Sequence, residues 1–329
     1  MKINKPLLII LGEPNSVFIE ILSRVLNSKK IKKKIKYPII LIGSKKLIIS
    51  QLKILKKTIN FKTIDKKNFN YKNFKNKIYL IDIKYKFKKA FEKISTKSNN
   101  YLTNCFSEGL KLLNSKTCEI LINGPISKKH FLQNKYPGIT EYIFDKSKKK
   151  ISKESVMLIY NKKLSVSPIT THVPLKDVSK KLNKKKIINN ILNINKFYKK
   201  NHKFTPKLAL LGLNPHCETK SKFNEEVSII RPAINKLKKR KININGPFST
   251  DTFFLKKNIS KYNCVIGMYH DQVLTPFKTL FGFDGSNITL GLPFLRMSVD
   301  HGPNSLMMGK NKSNTKSLEN IFNFINSLK

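Results

Sequence analysis

Short apolar runs recur along the chain, and segments with the periodicity of an amphipathic helix separate several of them. The runs predict strands at Leu7–Leu11, Ile39–Ile42, Ile78–Ile83, Glu119–Ile122, Val156–Tyr160, Leu164–Ile169, Leu208–Leu213 and Cys264–Met268. Helical patterns occur at about Val17–Leu26, Asn104–Leu113, Ser179–Tyr198 and Glu226–Lys239. This alternation predicts an α/β fold in which a largely parallel sheet carries helices on both faces.

The chain is long enough to bury a substantial core. Its 329 residues are 40% hydrophobic, which predicts two lobes or domains. Two lysine-rich stretches, Lys45–Lys77 and Lys146–Lys153, are low in complexity and predict surface segments. The first apolar run is too short for a signal-peptide core or a membrane span. The cysteines form no CxxC pair, which is typical of a reduced protein. We therefore expect a soluble, cytoplasmic protein.

The formal net charge of +47 is almost entirely due to lysine. The 66 basic residues include only four arginines (Arg24, Arg231, Arg240 and Arg296), which leaves 62 lysines spread along the chain. A nucleic-acid-binding protein is expected to use more arginine, because the guanidinium group recognises phosphates and guanines bidentately. We therefore expect no nucleic-acid partner. A polyanion-binding protein remains the non-enzymatic alternative.

The 40-residue block from Cys264 to Pro303 departs from the composition of the rest of the chain. It holds one lysine, Lys278, where the average density predicts about seven or eight, together with five of the thirteen glycines. It also contains the polar side chains His270, Asp271, Asn287, Asp300 and His301. These groups can bind metals, phosphates or a nucleotide, so the block is the first candidate for an active site.

Polar motifs follow five of the predicted strands. They are Gly12–Ser16, Asn123–Ile126, Thr170–Pro174, Asn214–His216 and Tyr269–Gln272. In open α/β sheets, ligand-binding groups come from loops at the carboxyl ends of the strands. The five loops are therefore expected to converge on one cleft.

Three of the six histidines, His172, His216 and His270, lie just past predicted strand ends. Three imidazoles in such positions could form an open site for a divalent metal. Asp251 and Asp271 could orient the imidazoles or complete the coordination. The ligands are far apart in sequence and form no HExxH-type pattern, so isolated loop or core histidines are an equally open interpretation.

A second group comprises Lys278, Asn287 and Arg296. Two cations and an amide donor suit a phosphorylated or carboxylated substrate. Lys278 could instead be one more surface lysine. No GxGxxG motif follows a strand, so the standard dinucleotide-binding fingerprint is absent from the sequence.

Taken in order, several motifs resemble those of one enzyme family. They are GEPNS, NGPISK, PGITEY, TTHVPL, GLNPH, NGPFSTDTFF, MYHDQ and NITLGLPFLRMSVDHG. The chain resembles, nearly end to end, the 4-hydroxythreonine-4-phosphate dehydrogenases of pyridoxal phosphate biosynthesis. This resemblance implies a homodimer with a two-domain fold of the isocitrate/isopropylmalate dehydrogenase type and a cleft between the domains. We expect residues 1–125 and 272–329 to form a cofactor-side domain, and residues 126–271 to form a metal and dimerisation domain.

The resemblance also implies the roles of individual residues. A divalent metal (Zn, Mg, Co or Mn) is expected on His172, His216 and His270 at the dimer interface. The expected substrate contacts are Thr140, Lys278, Asn287 and Arg296. The segment Ser298–Gly302, with His301 and Gly302, resembles the loop that related dehydrogenases place against the adenosine of NAD.

The implied reaction is oxidation followed by decarboxylation. NAD would take a hydride from the carbon that bears the substrate hydroxyl, and the resulting β-keto acid would lose CO2 while the metal stabilises the developing enolate. The product would be 3-amino-2-oxopropyl phosphate. Lys278 is the candidate proton-transfer group, and Asp251 or Asp271 could serve instead.

The chain departs from the family pattern at three places. Ile139 stands where the family motif PGHTE has histidine, Ser16 and Phe18 stand in a loop that is usually glycine-rich, and CETKSKFNEE replaces a glycine cluster after His216. Ile139 motivates an alternative in which the same chemistry acts on another phosphorylated or carboxylated hydroxy acid, such as a phosphothreonate. A phosphate acyltransferase, which has a related sheet architecture, is a further alternative.

Overall fold

The computed structural model describes residues 5–64, 74–75, 77–133, 135–148, 150–152, 154–218 and 224–328. The chain divides into two compact units. One, the terminal unit, comprises Met1–Ile151 and Leu292–Lys329; the other, the central unit, is Ser152–Gly291. Within the described ranges, no helix has both the length and the apolar character needed to cross a membrane.

The strands are β1 (Leu7–Ile10), β2 (Ile39–Gly43), β3 (Phe61–Ile64), β4 (Ile78–Asp82), β5 (Ile120–Asn123), β6 (Val156–Tyr160), β7 (Ser165–Pro168), β8 (Leu208–Leu211), β9 (Ile244–Phe248), β10 (Cys264–Gly267), β11 (Ser286–Leu290) and β12 (Leu295–Ser298). The α-helices are α1 (Phe18–Asn27), α2 (Lys29–Lys32), α3 (Lys45–Leu55), α4 (Asn99–Asn114), α5 (Ile139–Lys146), α6 (Val178–Lys181), α7 (Lys184–His202), α8 (Arg231–Lys239), α9 (Thr250–Phe253), α10 (Lys256–Ile259), α11 (His270–Phe281) and α12 (Lys316–Ser327).

The sheet of the terminal unit has the strand order β3-β4-β2-β1-β5-β12, and all of these pairings are parallel. Every residue of β1, β2 and β5 is buried. On one face, Leu8 and Ile10 of β1 share a core cluster with Phe106 of α4. The intervening Leu7 and Ile9 point to the opposite face and are also fully buried. The sheet is therefore covered on both faces, as a parallel sheet must be.

The sheet of the central unit has the order β11-β6-β7-β10-β8-β9. The strands β7, β10, β8 and β9 are parallel, and β6 runs antiparallel to both β7 and β11. Its core includes Val166, Ala209, Val265 and Phe277, which come from β7, β8, β10 and α11. Because β7, β8 and β10 are parallel, the loops that follow them leave the same edge of the sheet.

The predicted α/β class with largely parallel sheets is confirmed, and each predicted strand is present to within about two residues at its ends. The prediction missed β3, β9, β11 and β12. The sequence of β9, INGPF, contains Gly246 and Pro247, which normally interrupt strands. The strands β11 (SNITL) and β12 (LRMS) are short and partly polar, so their apolar pattern is weak.

The prediction that Lys45–Lys77 is a surface segment was wrong for its first part. Helix α3 lies there and buries Leu47, Ile48, Leu52 and Leu55, while its lysines occupy the solvent face. Residues 65–73 and 76 of this stretch lie outside the described residues, as do Lys149 and Lys153 of the second lysine-rich stretch.

Two predicted helices are interrupted. The segment predicted as Ser179–Tyr198 forms α6 and α7, and the side chain of Asn183 starts α7 by accepting a hydrogen bond from the Lys186 N–H (2.9 Å). The segment Glu226–Lys239 begins with a π-helical turn over Glu226–Ile230 and continues as α8. Such turns often occur at functional sites.

The boundaries of the compact units differ from the predicted domain boundaries. Residues 126–151 belong to the terminal unit because Ile126, Leu132 and Ile143 pack in the same core cluster as Leu8 and Phe106. Residues 272–291 belong to the central unit because α11 contacts β7 and β10, and β11 pairs with β6. The predicted boundaries followed motifs, whereas the compact units follow packing.

Candidate active site

The sheet of the central unit brings the three predicted metal-binding histidines to one edge. His172 follows β7, His216 follows β8 and His270 begins α11 directly after β10. The pairing of β7 with β10 continues past the strands, since the N–H groups of Ile169 and Thr170 donate to the carbonyl oxygens of Gly267 and Met268 (2.8 and 3.1 Å). The loops that carry His172 and His270 therefore run side by side.

The rings of His172 and His270 are neighbours. Their centroids are 6.0 Å apart and their planes are inclined by 35°. The Nδ1 atom of His270 lies 2.6 Å from Oδ1 of Asp271. A carboxylate on Nδ1 orients the ring and leaves Nε2 to bind a metal. Asp271 is therefore in a position to orient the imidazole of His270.

The loop that carries His216 has an unusual backbone conformation. His216 and the following Cys217 both have positive φ angles (54° and 61°). Non-glycine residues rarely adopt this conformation, and it persists only where the surrounding structure imposes it. The residues of the CETKSKFNEE segment at 219–223 lie outside the described residues.

Glu226 binds the backbone of the loop that carries His216. Its carboxylate is fully buried and accepts hydrogen bonds from the N–H groups of Leu213 (2.7 Å) and Asn214 (2.9 Å), and from Nδ2 of Asn214 (2.9 Å). The neighbouring Glu225 also accepts from Nδ2 of Asn214 (3.0 Å). Sequence reasoning missed this pair. The available signal was two consecutive acids in a chain with only 19.

Asp251 lies near His216. It is exposed, and its Oδ1 accepts a hydrogen bond from the Ser249 hydroxyl (2.5 Å). This hydrogen bond is the largest cause that lowers the pKa of the Asp251 carboxyl, and the charge of His216 lowers it further. Asp251 is therefore an ionised group at the same edge as the histidines.

The donor set at this edge suits a divalent metal, because imidazole and carboxylate ligands bind zinc, cobalt and manganese. Metal–nitrogen distances of about 2.1 Å place the ring centroids of two tetrahedral imidazole ligands about 5 Å apart. The observed 6.0 Å between His172 and His270 is close to that arrangement. Among the described residues of one chain, however, no group of three or more His, Cys, Asp and Glu side chains could hold a metal ion.

The terminal unit contains the second group of predicted residues. Arg296 on β12 is fully buried; its Nε donates to Oδ1 of Asn123 (2.7 Å) and its Nη1 donates to the hydroxyl oxygen of Thr140 (3.1 Å). Burial lowers the pKa of Arg296 to about 10, while Glu141 opposes the shift. The guanidinium therefore stays charged at neutral pH. The structure thus brings Thr140 and Arg296 together and adds Asn123 as a second partner of Arg296.

The other two predicted substrate residues belong to the central unit. Lys278 lies on α11, and its Nζ is 5.1 Å from the centroid of the Phe283 ring. Asn287 lies on β11 opposite Ile159 of β6, and its Oδ1 is buried without a hydrogen-bond partner. The predicted substrate residues are therefore divided equally between the two units.

The predicted cofactor residues follow β12. Nδ1 of His301 lies 2.9 Å from the carbonyl oxygen of Gly302, and the carbonyl of the next residue, Pro303, accepts a hydrogen bond from the N–H of Val17 (3.1 Å). This segment therefore lies beside the loop between β1 and α1. A Cβ atom added at Gly302 would meet nothing within 4 Å, so there is space next to its backbone.

A model of the family described as pyridoxal phosphate biosynthetic protein PdxA matches residues 34–325. The chain belongs to the PdxA family. A 4-hydroxythreonine-4-phosphate dehydrogenase from Sulfurihydrogenibium sp. is 38% identical over 312 residues, which cover 93% of this chain and 92% of that protein. A D-threonate 4-phosphate dehydrogenase from Pectobacterium atrosepticum is 32% identical over 64% of each chain. The predicted resemblance is confirmed.

A solved structure of 4-hydroxythreonine-4-phosphate dehydrogenase from Klebsiella pneumoniae is similar in fold to the PdxA-family chain. The TM-score is 0.80 at 24% sequence identity, and the match covers 99% of this chain and 100% of that one. The fold similarity therefore extends over both units. The family assignment, based on sequence, supports a dehydrogenase rather than a phosphate acyltransferase.

Two departures from the PdxA pattern have visible consequences. Ile139 is the first residue of α5 and packs against the apolar core of the terminal unit. In the first loop, Phe18 is buried, and a Cβ atom added at Gly124 would lie 2.8 Å from its ring. The hydroxyl of Ser16 donates to the carbonyl oxygen of Glu13 (2.7 Å), which closes the loop on itself. Apolar side chains thus stand at the positions of Phe18 and Ile139, and a hydroxyl bound to the backbone stands at Ser16.

Glu13 in the same loop was missed by sequence reasoning. It is 2% exposed, and burial raises the pKa of its carboxyl to about 7. Hydrogen bonds from the N–H of Asn15 and the hydroxyl of Ser98 oppose this rise in pKa. Glu13 lines a small pocket with Gly12 and Tyr101. Its burial depends on distant contacts, which the sequence does not reveal.

Proposed function

We propose that this PdxA-family chain catalyses the NAD-dependent oxidation and decarboxylation of 4-phosphohydroxy-L-threonine to 3-amino-2-oxopropyl phosphate, a step of pyridoxine 5'-phosphate biosynthesis. The match to the family over residues 34–325 carries this proposal. We further propose that the enzyme acts in the cytoplasm as a homodimer.

The proposed metal ligands are His172, His216 and His270. A divalent metal bound there supplies Lewis-acid stabilisation of the negative charge that develops on the substrate oxygen. Support comes from the proximity of the His172 and His270 rings and from the contact between His270 and Asp271. In keeping with the homodimer expected from the family resemblance, we propose that the site lies where two copies of the chain meet.

The proposed anion site of the terminal unit contains Arg296 and Thr140. Lys278 and Asn287, in the central unit, stay predicted substrate contacts. The buried Arg296 is held in one orientation by Asn123 and Thr140, so the plane of its guanidinium group is fixed. A pre-oriented guanidinium group binds phosphate or carboxylate through charge-assisted hydrogen bonds. The segment with His301 and Gly302 is the proposed contact for NAD, which accepts the hydride.

Three side chains are candidates for proton transfer. Asp271 contacts Nδ1 of His270, which suits the orientation of an imidazole better than proton transfer. The lowered pKa of Asp251 keeps its carboxylate ionised near His216, but it also makes the carboxylate a weaker proton acceptor. Lys278 remains the candidate that would donate a proton from Nζ to the carbanion left after CO2 departs.

NADH formation from 4-phosphohydroxythreonine, with and without a chelator, tests this function. We expect activity that the chelator abolishes and that added Zn2+, Co2+ or Mn2+ restores. A phosphothreonate is the second candidate substrate. Ile139 packs against the apolar core and cannot make the hydrogen bond that the usual histidine would offer to the substrate. A kcat/KM that is higher for the phosphothreonate than for 4-phosphohydroxythreonine would show that the phosphothreonate is the preferred substrate. The proposed reaction class would stay the same.

A further inference from the structure

The three loops that carry the proposed metal ligands follow different strands. Contacts between these loops therefore help to set the positions of the ligands relative to one another. Gln272 on α11 makes such contacts. It is 6% exposed and lies two residues after His270. Its side chain makes hydrogen bonds to two distant segments of the central unit and to the turn that precedes its own helix.

The side-chain amide of Gln272 uses both of its ends. Its Oε1 accepts a hydrogen bond from the N–H of Met268 (2.6 Å). Its Nε2 donates to the carbonyl oxygen of Gly212 (2.6 Å) and to the hydroxyl oxygen of Thr250 (2.9 Å). An N–H group requires an acceptor and a carbonyl requires a donor, so these partners determine the orientation of the amide.

Each of the three partners lies close to a proposed site residue. Met268 precedes His270 by two residues, Gly212 precedes His216 by four, and Thr250 is adjacent to Asp251. One buried amide therefore connects the segments that lead to two histidines and one aspartate.

The contact with Gly212 is reinforced from its other side. The carbonyl of Gly212 and the N–H of Leu213 belong to the same peptide group. Gln272 binds that carbonyl and Glu226 binds that N–H (2.7 Å). The Gly212–Leu213 peptide group is thus fixed at both polar atoms, and His216 and Cys217, which have positive φ angles, follow three and four residues after Leu213.

The end of β10 is shaped to admit Gln272. A Cβ atom added at Gly267 would lie 2.8 Å from Oε1 of Gln272 and 2.6 Å from Cγ1 of Val273. A side chain at position 267 would therefore displace the amide. Glutamate at position 272 would lose both donated hydrogen bonds, and asparagine would be one methylene too short to reach both partners.

We propose that Gln272 is a positioning residue that sets the geometry of the metal-binding edge, without binding the metal itself. The inference rests on the proposed function, because it assumes that His216 and His270 bind a metal. Groups that hold metal ligands in place typically change metal affinity by about ten- to a hundredfold when they are mutated.

The test uses the full-length protein and Co2+, whose visible absorption reports its coordination geometry. The variant is Gln272→Glu, which keeps the shape of the side chain. The matched control is Gln51→Glu in the terminal unit. Gln51 is also buried, and its Nε2 also donates to two acceptors, the carbonyl oxygens of Pro14 (2.7 Å) and Ala90 (2.8 Å). Co2+ affinity, the Co2+ spectrum, and hydrogen exchange of the metal-free protein over residues 212–216 are measured.

We expect Gln272→Glu to weaken Co2+ binding by about tenfold or more, to change the Co2+ spectrum and to speed exchange over 212–216. Gln51→Glu should lower the thermal stability but leave the Co2+ affinity and spectrum unchanged. Equal Co2+ affinity and spectra in wild type and Gln272→Glu would overturn the inference and leave the proposed function intact. Wild-type protein that bound no Co2+ would overturn the proposed metal site and this inference together.

A milder pair of variants covers the case in which Gln272→Glu does not fold. Thr250→Val removes only the 2.9 Å hydrogen bond to Gln272. We expect Thr250→Val to lose less Co2+ affinity than Gln272→Glu does. Thr250→Ser should bind Co2+ as tightly as wild type, because serine keeps the hydroxyl. Thr252→Val, at an exposed position of the same short helix, is the control. Co2+ affinity that is unchanged in Thr250→Val would contradict the inference.

Discussion

Nη1 of Arg296 donates a hydrogen bond to the hydroxyl oxygen of Thr140 at 3.1 Å, although the two residues are 156 positions apart in the sequence. A second donor of the same guanidinium, Nε, binds Oδ1 of Asn123 at 2.7 Å. These contacts hold a buried positive charge in a single orientation. In the proposed enzyme, that charge binds the anionic group of the substrate.

Arg296→Lys tests the orientation of this charge. Lysine keeps the positive charge but cannot replace the planar fork that contacts both Asn123 and Thr140. We expect KM for the phosphorylated substrate to rise about ten- to a hundredfold, which corresponds to about 1.4–3 kcal/mol of lost binding. Steady-state kinetics give the result. Arg240→Lys at an exposed position is the control, and an unchanged KM in Arg296→Lys would remove this residue from the substrate site.

Glu226→Ala tests the support of the His216 loop. The substitution leaves the N–H groups of Leu213 and Asn214 without their acceptor, which should cost about 2–4 kcal/mol of unfolding free energy. Co2+ affinity should fall as well, because the loop is no longer held in its left-handed conformation. Glu225→Ala is the comparison, since Glu225 contacts Ser179 and the Asn214 side chain but neither N–H group. Urea unfolding and Co2+ titration should show a clearly larger effect in Glu226→Ala; equal effects would argue against this support.

The buried Glu13 predicts a pH-dependent stability. Burial raises the pKa of its carboxyl from 4.5 to about 7, so the folded protein binds this proton more tightly than the unfolded chain does. The resulting stabilisation is complete below about pH 4.5 and is lost as the pH rises through about 7. Glu13→Gln imitates the protonated form at every pH. Relative to wild type, its unfolding free energy should therefore increase between pH 5 and pH 8, by up to about 3 kcal/mol.

Urea unfolding of wild type and Glu13→Gln at several pH values measures this difference. Glu154→Gln, at an exposed position, is the control and should differ from wild type by the same small amount throughout. A free-energy difference between Glu13→Gln and wild type that does not change with pH would show that Glu13 titrates alike in the folded and unfolded states.

His172→Ala, His216→Ala and His270→Ala test the proposed ligands one at a time. Each substitution should lower Co2+ affinity and NADH formation by at least about a hundredfold, because removal of one of three imidazoles leaves an incomplete site. His130→Ala is the control, since the Nδ1 atom of His130 contacts the Ser127 hydroxyl in the terminal unit. Full turnover in any of the first three variants would exclude that histidine as a ligand.

Much of the fold could be predicted because the buried strands are continuous apolar runs. The strand β1 (LLII) is buried on both faces and cannot be mistaken for an amphipathic element. In contrast, β12 (LRMS) carries the fully buried Arg296, and a charged residue argues against burial unless its partners are known. Those partners, Asn123 and Thr140, come from distant parts of the chain.

The candidate site could be predicted only where its residues follow strand ends. His172, His216 and His270 were found in this way, because the carboxyl ends of parallel strands define one edge. Gln272 and Glu226 act through backbone groups of other loops, and no pattern of residue types marks such contacts. Arg296 was grouped with Lys278 and Asn287 because the three lie close together in the sequence, whereas the role of Thr140 was inferred only from a family motif.

The most direct test of the proposed enzyme is NADH formation from 4-phosphohydroxythreonine by the purified full-length protein, measured before and after removal of metal by a chelator. The proposal predicts NADH formation with release of CO2, its loss after chelation, and its recovery on addition of a divalent metal. Absence of NADH formation with metal present, or an unchanged rate after complete metal removal, would contradict it.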